Sequence, residues 1–366
     1  MATEVKERSV PKPVFTDAEA GAQEFPSWQS RSYNYFEPRK RRATVYEDVT
    51  MDVQPDPARH LSQGWVYSFA NGDAGYPQEW SALKSTNWHA FLDPNEEWEQ
   101  TIYRNNANVV RQISQNIEHG RTAHVFQAMN PAWVKVLAHH VFAWAHAEHG
   151  IGMHVYTPAQ RDAPTNMINN AICVGAVHKL RFAQDLILYN LTLSEEIEGF
   201  EGSAHKQTWQ EDPIWQPTRE LVEGLTGIRD WSEAVFALTV VFEPLVGELF
   251  RSGFVMQVAA LQGDFVTPTI MGAGESDAAR EQRGARALFR MLADDEANAD
   301  ANKATMQGWL EEWTPKAVSA ARQLQPIWSQ ISEKVIRFED SFERSRVRFD
   351  SLVSDLGLET PKGVTP

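Results

Sequence analysis

The chain is poor in cysteine, holding one thiol, Cys173, in 366 residues. That excludes an internal disulfide and any zinc finger or iron–sulfur cluster held by this chain alone. Histidine is missing from the last 161 residues, because all 11 lie at or before His205. Long apolar runs are missing too: the stretch 234–242 is nine residues, far short of the ~20 that span a bilayer. The opening MATEVKERSV is charged and has no apolar signal core, so nothing there marks export. A basic excess is also absent, with 34 Lys+Arg against 49 Asp+Glu and a net charge of −15. These absences predict a soluble protein of the reducing cytoplasm that binds neither nucleic acid nor membrane.

The usual catalytic strings are lacking as well. There is no GxxxxGK[ST] phosphate loop, no GxGxxG after a strand, no GxSxG elbow and no HExxH. Gly272-Ala273-Gly274 begins a GxG without its third glycine and reads as a loop.

What remains is ordinary globular material, 42% hydrophobic and 23% charged, enough for a sizeable core. At roughly 150 residues per domain the length suits two domains or one large one. Residues 1–57 differ from the rest. They hold six of the 19 prolines and no sustained helical period, yet carry Phe25, Trp28, Tyr33, Tyr35, Phe36 and Tyr46. Aromatics drive burial and are scarce in disordered segments. This stretch therefore reads as an extended arm laid on a partner surface, with Trp28, Tyr33, Tyr35 and Phe36 as apolar anchors beside the basic run Arg39-Lys40-Arg41-Arg42. The arm is close to neutral, so nearly all of the negative charge belongs to residues 58–366. Arg39, Arg41 and Arg42 suit ion pairs with an acidic partner better than nucleic acid.

From residue 93 the punctuation is helical. Asp93-Pro94-Asn95-Glu96 reads as an N-cap, a first-turn proline and a capping-box glutamate, followed by an apolar stripe from Trp98 to about residue 127. Asn130-Pro131 opens a second helix that Gly150 should stop. A third is predicted from Thr165 to Glu196. Pro213 and Pro217 leave only short helices between 201 and 230. Asp230-Trp231-Ser232-Glu233 opens a strongly apolar helix to about 262, which Pro244 should kink. Ser276 is the expected cap of a helix to about Asp295, another covers 299–313, and Pro315 should start a last long one. Its Ile331, Val335, Phe338, Phe342, Phe349, Leu352 and Leu356 form a packing seam. No strand and no repeat emerges. The expectation is an all-α bundle with an N-terminal arm.

Large helical bundles can hold a di-iron carboxylate site, built from a Glu on each of two helices and a Glu-x-x-His pair on each of two others. No glutamate here has a histidine three residues later, and the chain beyond His205 has none to offer. No catalytic, cofactor-binding or metal-ligating residue is therefore assigned. The richest histidine region is His139, His140, His146, Glu148 and His149. His139 and His146 are about 10.5 Å apart along a helix, so only His146 and His149 could share an ion, and two imidazoles make a poor site. Hydrogen-bonded core or interface histidines are the better reading, and a buried, inert thiol the better one for Cys173. Trp28, Trp65, Trp80 and Trp88, near irregular segments, could anchor an interface.

The stretch Thr86-Asn87-Trp88-His89-Ala90-Phe91-Leu92-Asp93-Pro94, leading to Trp98 and Tyr103, resembles the approach to the main bundle in small (beta) subunits of bacterial multicomponent monooxygenase hydroxylases. With the arm FTDAEAGAQEF…SYNYFEPRKRRATVYEDV, then RHLSQGWVYSFANGDAGYPQEW and DPNEEWEQTIYRNNANVVRQI, the likeness extends from about residue 14 to 355 and is greatest to the propane monooxygenase subgroup. The resemblance implies a ferritin-like helical fold without the di-iron ligands and a non-catalytic structural role. It implies a di-iron large (alpha) subunit and a second small subunit as partners. A coupling protein and a reductase carrying NADH, FAD and an iron–sulfur centre would complete an O2-dependent hydroxylation of propane or a similar small hydrocarbon. Two alternatives stay open here: an all-α scaffold outside any oxygenase, and a stand-alone enzyme using the 139–149 histidines.

Overall fold

The computed structural model describes residues 43–50, 81–331 and 336–366, and among these it is helical without a strand. The helices are α1 (Val45–Thr50), α2 (Glu99–Thr122), α3 (residues 131–162), α4 (Asn166–Glu196), α5 (Ala204–Glu211), α6 (Gln216–Thr226), α7 (residues 231–262), α8 (Val266–Ala293), α9 (Ala299–Gln323) and α10 (Phe338–Asp355). The arm's proposed contact residues, Trp28, Tyr33, Tyr35, Phe36, Arg39, Arg41 and Arg42, lie outside the described residues, as do Trp65 and Trp80. The stretch 43–50 rests on the body itself: Tyr46 is buried, its hydroxyl accepts from the Asp93 amide, and Thr50 O accepts from Asn166 at the start of α4.

Two helical hairpins, α3/α4 and α7/α8, form the centre. Each turn is fixed by a side chain at the following helix start. Thr165 Oγ1 accepts from the Ile168 amide. Asp264 accepts from the Val266 and Thr267 amides and, from α3, the Trp133 indole at 2.9 Å. Around this centre, α2 packs on α4 and α8, α9 and α10 on α7, and α6 on α3 and α9. The core is aromatic where α3 meets α7: Trp144 stacks on Phe250 and Phe242 with ring centroids 5.1 and 6.0 Å apart.

Several expected boundaries move, each for a tertiary reason. Asp93–Glu96 is a turn, with Asp93 Oδ1 accepting from the Asn95 amide. The helix begins later, where Trp98 and Thr101 exchange capping hydrogen bonds, and it ends at Thr122. Gly150 does not stop α3, which continues to Asp162 through π-helical stretches at Leu137–Val141 and Gly152–Tyr156. Pro244 sits in a π stretch, Ala237–Gly247, whose wider turn tolerates the missing amide. Ser276 caps nothing: it lies mid-helix in α8 and bonds back to Gly272 O. The 272–274 segment is likewise helical, not a loop. Pro315 lies inside α9, and α10 starts only at Phe338, so Ile331 precedes the final helix and Val335 falls outside the described residues.

Gly274 explains its own place in α8. A Cβ there would lie 2.6 Å from the buried Phe182 ring of α4, so the two helices approach only because this side chain is absent. Alanine gains about 1 kcal/mol in helix propensity, while overpacking a core costs about 1–3 kcal/mol. Gly274→Ala is therefore expected to lower the urea unfolding midpoint; an unchanged or higher midpoint contradicts this packing.

Candidate functional site: a charged centre in the bundle

Charged side chains from all four central helices converge inside the bundle. Glu148 of α3, Lys179 of α4, and Glu243 and Arg251 of α7 are all at most 3% exposed. Lys179 Nζ lies 2.5 Å from Glu243 Oε1, 3.3 Å from Glu148 Oε2 and 3.6 Å from Glu281 Oε2 of α8. The Arg251 guanidinium donates to Glu243 Oε2 at 2.6 Å, to Glu148 Oε1 at 3.1 Å and to Glu275 Oε1 at 2.5 Å. Trp144 Nε1 adds a bond to Glu148, and the Tyr156 hydroxyl one to Glu281. Glu243 and Glu148 therefore each bridge both cations.

Local structure aims these groups. Glu243 and Arg251 stand on either side of Gly247, two turns apart. A Cβ at 247 would fall 2.7 Å from Glu243 Oε2 and 2.8 Å from Arg251 Nη1, so the pair closes over a glycine. Glu243, Arg251 and Tyr156 all belong to π-helical stretches, which rotate side chains relative to a regular helix. Burial would raise the Glu243 carboxyl, but the Arg251 and Lys179 charges overcome it and hold the group down at about 2. Glu148 is pushed up by burial, against the same two cations. Burial opposes charge on Lys179 and Arg251, yet the surrounding carboxylates keep both above their ordinary range.

A second layer continues from Glu281. His178, 1% exposed, has Nδ1 3.6 Å from Glu281 Oε1, and Nε2 3.8 Å from both Glu97 and Asp277. Arg181 pairs with Asp185 and Asp277, and Arg280 with Asp277 and Glu97. Burial raises Asp185 to about 6 despite Arg181. A cavity of about 40 Å³ adjoins His178, Glu281, Tyr156, Glu97 and Arg280.

These residues do not fit a di-iron centre. Three central helices supply carboxylates, but Lys179 and Arg251 already occupy the space between them. Among the described residues no group of three or more His, Cys, Asp or Glu side chains is arranged to hold a metal ion. The centre is an electrostatic clamp that joins four helices through paired charges. Of its members only Glu148 was singled out by sequence. The available signal is Glu243-x3-Gly247-x3-Arg251, opposite charges placed symmetrically about a glycine in a run whose one other charge is Glu248.

The histidine-rich region is separate. His146 Nε2 lies 2.9 Å from His205 Nδ1 of α5, and the His146 ring stacks on both His205 and Trp209, so His146 pairs with His205 while His149 is exposed. His139 contacts Thr208 and Glu201. Cys173 is exposed on α4, contrary to the buried reading, although its helix neighbours Ile172 and Val174 are buried. Trp88 is buried against Trp231.

His140 is held neutral by geometry. Trp215 Nε1 donates to its Nδ1 at 2.9 Å, so Nε2 carries the proton shared with Gln330 Oε1. A second proton has no place without breaking the tryptophan bond, and burial holds the pKa down at about 4. Between the unfolded value near 6.5 and this one, the unfolded chain binds more protons, so His140 loses its contribution as pH falls. The stability difference between wild type and His140→Gln should therefore shrink from pH 6.5 to 4; a constant difference in thermal denaturation contradicts the assignment.

The Methane/Phenol/Alkene Hydroxylase family model matches residues 65–296. The chain is 56% identical over 359 residues, 98% of both chains, to the propane 2-monooxygenase hydroxylase component small subunit of Rhodococcus jostii (strain RHA1). It is likewise 56% identical to the small subunit of the same name from Gordonia sp. (strain TY-5), over 98% of this chain and 97% of that one. A solved structure of phenol hydroxylase from Pseudomonas sp. OX1 superposes with a TM-score of 0.73 at 18% identity, covering 88% of this chain and 92% of that one. The match to the family and the full-length identity show that the chain belongs to the methane, phenol and alkene hydroxylases, as a small subunit of a multicomponent monooxygenase hydroxylase.

Proposed function

We propose that this chain is the non-catalytic structural subunit of the hydroxylase in an NADH-dependent monooxygenase that oxidises propane or a similar small hydrocarbon with O2. The observation that carries the non-catalytic half is the charged centre. Where a ferritin-like subunit would place two metals between carboxylates, this chain places Lys179 and Arg251. The identity to propane 2-monooxygenase small subunits supports the substrate class.

On this reading the di-iron centre and the substrate pocket belong to the large subunit. A second small subunit, a coupling protein and a reductase using NADH, FAD and an iron–sulfur centre complete the system, which works in the cytoplasm. No helix among the described residues is long and apolar enough to cross a membrane. The chain's own contribution is a rigid docking platform. Helices α2 and α4 pack against each other, and both turn large apolar side chains to solvent: Tyr103 and Val110 from α2, Leu188 and Leu191 from α4, each more than 40% exposed. Such residues gain most when a partner covers them.

Two outcomes test this. The chain purified alone should carry no stoichiometric iron and oxidise no propane, whereas co-expression with the large subunit should yield a stable complex that does so once reductase and coupling protein are added. Two irons per isolated chain would sink the non-catalytic reading. Leu188→Glu/Leu191→Glu should keep the thermal midpoint of the isolated chain within a few degrees, since both positions are exposed, yet weaken co-purification with the large subunit at least tenfold. Unchanged assembly shows that this face is not the platform.

A further inference from the structure

The charged centre has the connectivity of a dinuclear metal site. Lys179 Nζ faces three carboxylates from three helices: Glu148, Glu243 and Glu281. The Arg251 guanidinium also faces three: Glu148, Glu243 and Glu275. Glu148 and Glu243 use one oxygen for each cation, so two bridging carboxylates span the pair. Glu281 belongs to Lys179 alone and Glu275 to Arg251 alone. Carboxylate-rich four-helix centres likewise gather glutamates from separate helices around two divalent ions, there with a histidine on each of two helices, which this cluster lacks.

We propose that Lys179 and Arg251 are resident cations of a two-cation carboxylate site, and that removing the Lys179 ammonium opens it to one divalent metal ion. Three features carry this. First, the side chains of Glu148, Glu243 and Glu281 are only 0%, 1% and 3% exposed, so they have little access to water if Lys179 is lost. Second, two of the oxygens facing the vacated volume, Glu148 Oε2 and Glu243 Oε1, would have no remaining hydrogen-bond donor. Glu148 Oε2 has none even now, only the ammonium charge 3.3 Å away. Third, the donors come from separate helices, α3, α7 and α8, so they surround the vacancy. Hard oxygen donors suit Mn2+ and Co2+, at bonds of roughly 2.0–2.2 Å, so the carboxylates must close inward by about 1 Å.

Glu281 ties the vacancy to the second layer, since its other oxygen lies 3.6 Å from His178 Nδ1. That arrangement places an imidazole behind a terminal carboxylate, where it would orient the ligand. The inference stands on the geometry of this chain alone and does not depend on whether it assembles into a hydroxylase.

The test compares the isolated full-length wild type with Lys179→Ala and Lys179→Met, each with EDTA or with Co2+. Wild type should retain no cobalt after gel filtration, and its thermal midpoint should not move. Lys179→Ala should melt lower in EDTA, retain one cobalt per chain with visible d–d absorption, and regain several degrees. Lys179→Met, equally neutral but filling the volume, should melt lower without rescue. Adding Glu148→Gln and Glu243→Gln to Lys179→Ala should abolish retention. If Lys179→Ala is insoluble in EDTA, refolding from urea only with Co2+ supports the site. Failure with and without cobalt, cobalt retained by wild type or by Lys179→Met, or retention that survives loss of both carboxylates overturns it.

Discussion

The bundle is organised by the need to neutralise Glu148 and Glu243 in a place water does not reach. An isolated carboxylate there would cost several kcal/mol, and the attraction of a counter-ion offsets that only with close geometry and satisfied hydrogen bonds. The geometry is met by side chains anchored on separate helices. Lys179 reaches from α4, Arg251 folds back across a turn of α7, and Glu275 and Glu281 close the ring from α8. Each helix is thereby held in rotation and in height against the other three. Apolar packing is tolerant of small slides, whereas a 2.5–3 Å charge-assisted bond is not. Removing one partner of such a buried pair typically costs 3–5 kcal/mol because the other is stranded. The cluster therefore behaves as a unit.

The π-helical stretches belong to the same constraint. Three of the four found among the described residues occur where Tyr156, Glu243 and Arg251 point inward. The stretch at 237–247 also absorbs Pro244, whose missing amide would otherwise break an α-helical bond. Two demands are met by one irregularity: the proline is accommodated and the carboxylate is aimed.

Much of the fold was legible wherever punctuation is local. Asn130 and Asp230 cap the helices they open in sequence, the helix expected from about Thr165 ends at Glu196, and the apolar helix ends at 262. The misreadings share one cause. Local propensity marks Ser276, Gly272-Ala273-Gly274, Pro315 and Gly150 as breaks, yet packing overrides propensity over long buried helices. Gly274 is small to admit Phe182, a reason that exists only once α4 and α8 are side by side. Asp93 was an N-cap in sequence and a turn residue in space, because the Trp98–Thr101 pair downstream is the better cap.

The charged centre was much less legible, and the reason is physical. Charge along a helix ordinarily marks its solvated face, so Lys179, Arg181 and Asp185 look like surface residues in a one-dimensional reading. Their burial depends on partners far away in sequence, such as Glu243 and Glu281 for Lys179 and Asp277 for Arg181, which are 64, 102 and 96 residues distant. What sequence did support was the negative half: no Glu-x-x-His, hence no ordinary di-iron set. The positive half is that the cations between these carboxylates, Lys179 and Arg251, are covalent parts of the chain. An ammonium on a side chain cannot dissociate, change oxidation state or bind oxygen, so it retains the clamp that metals provide in such bundles while removing their reactivity. A subunit built this way is held together at its centre by paired charges that tie four helices to one another.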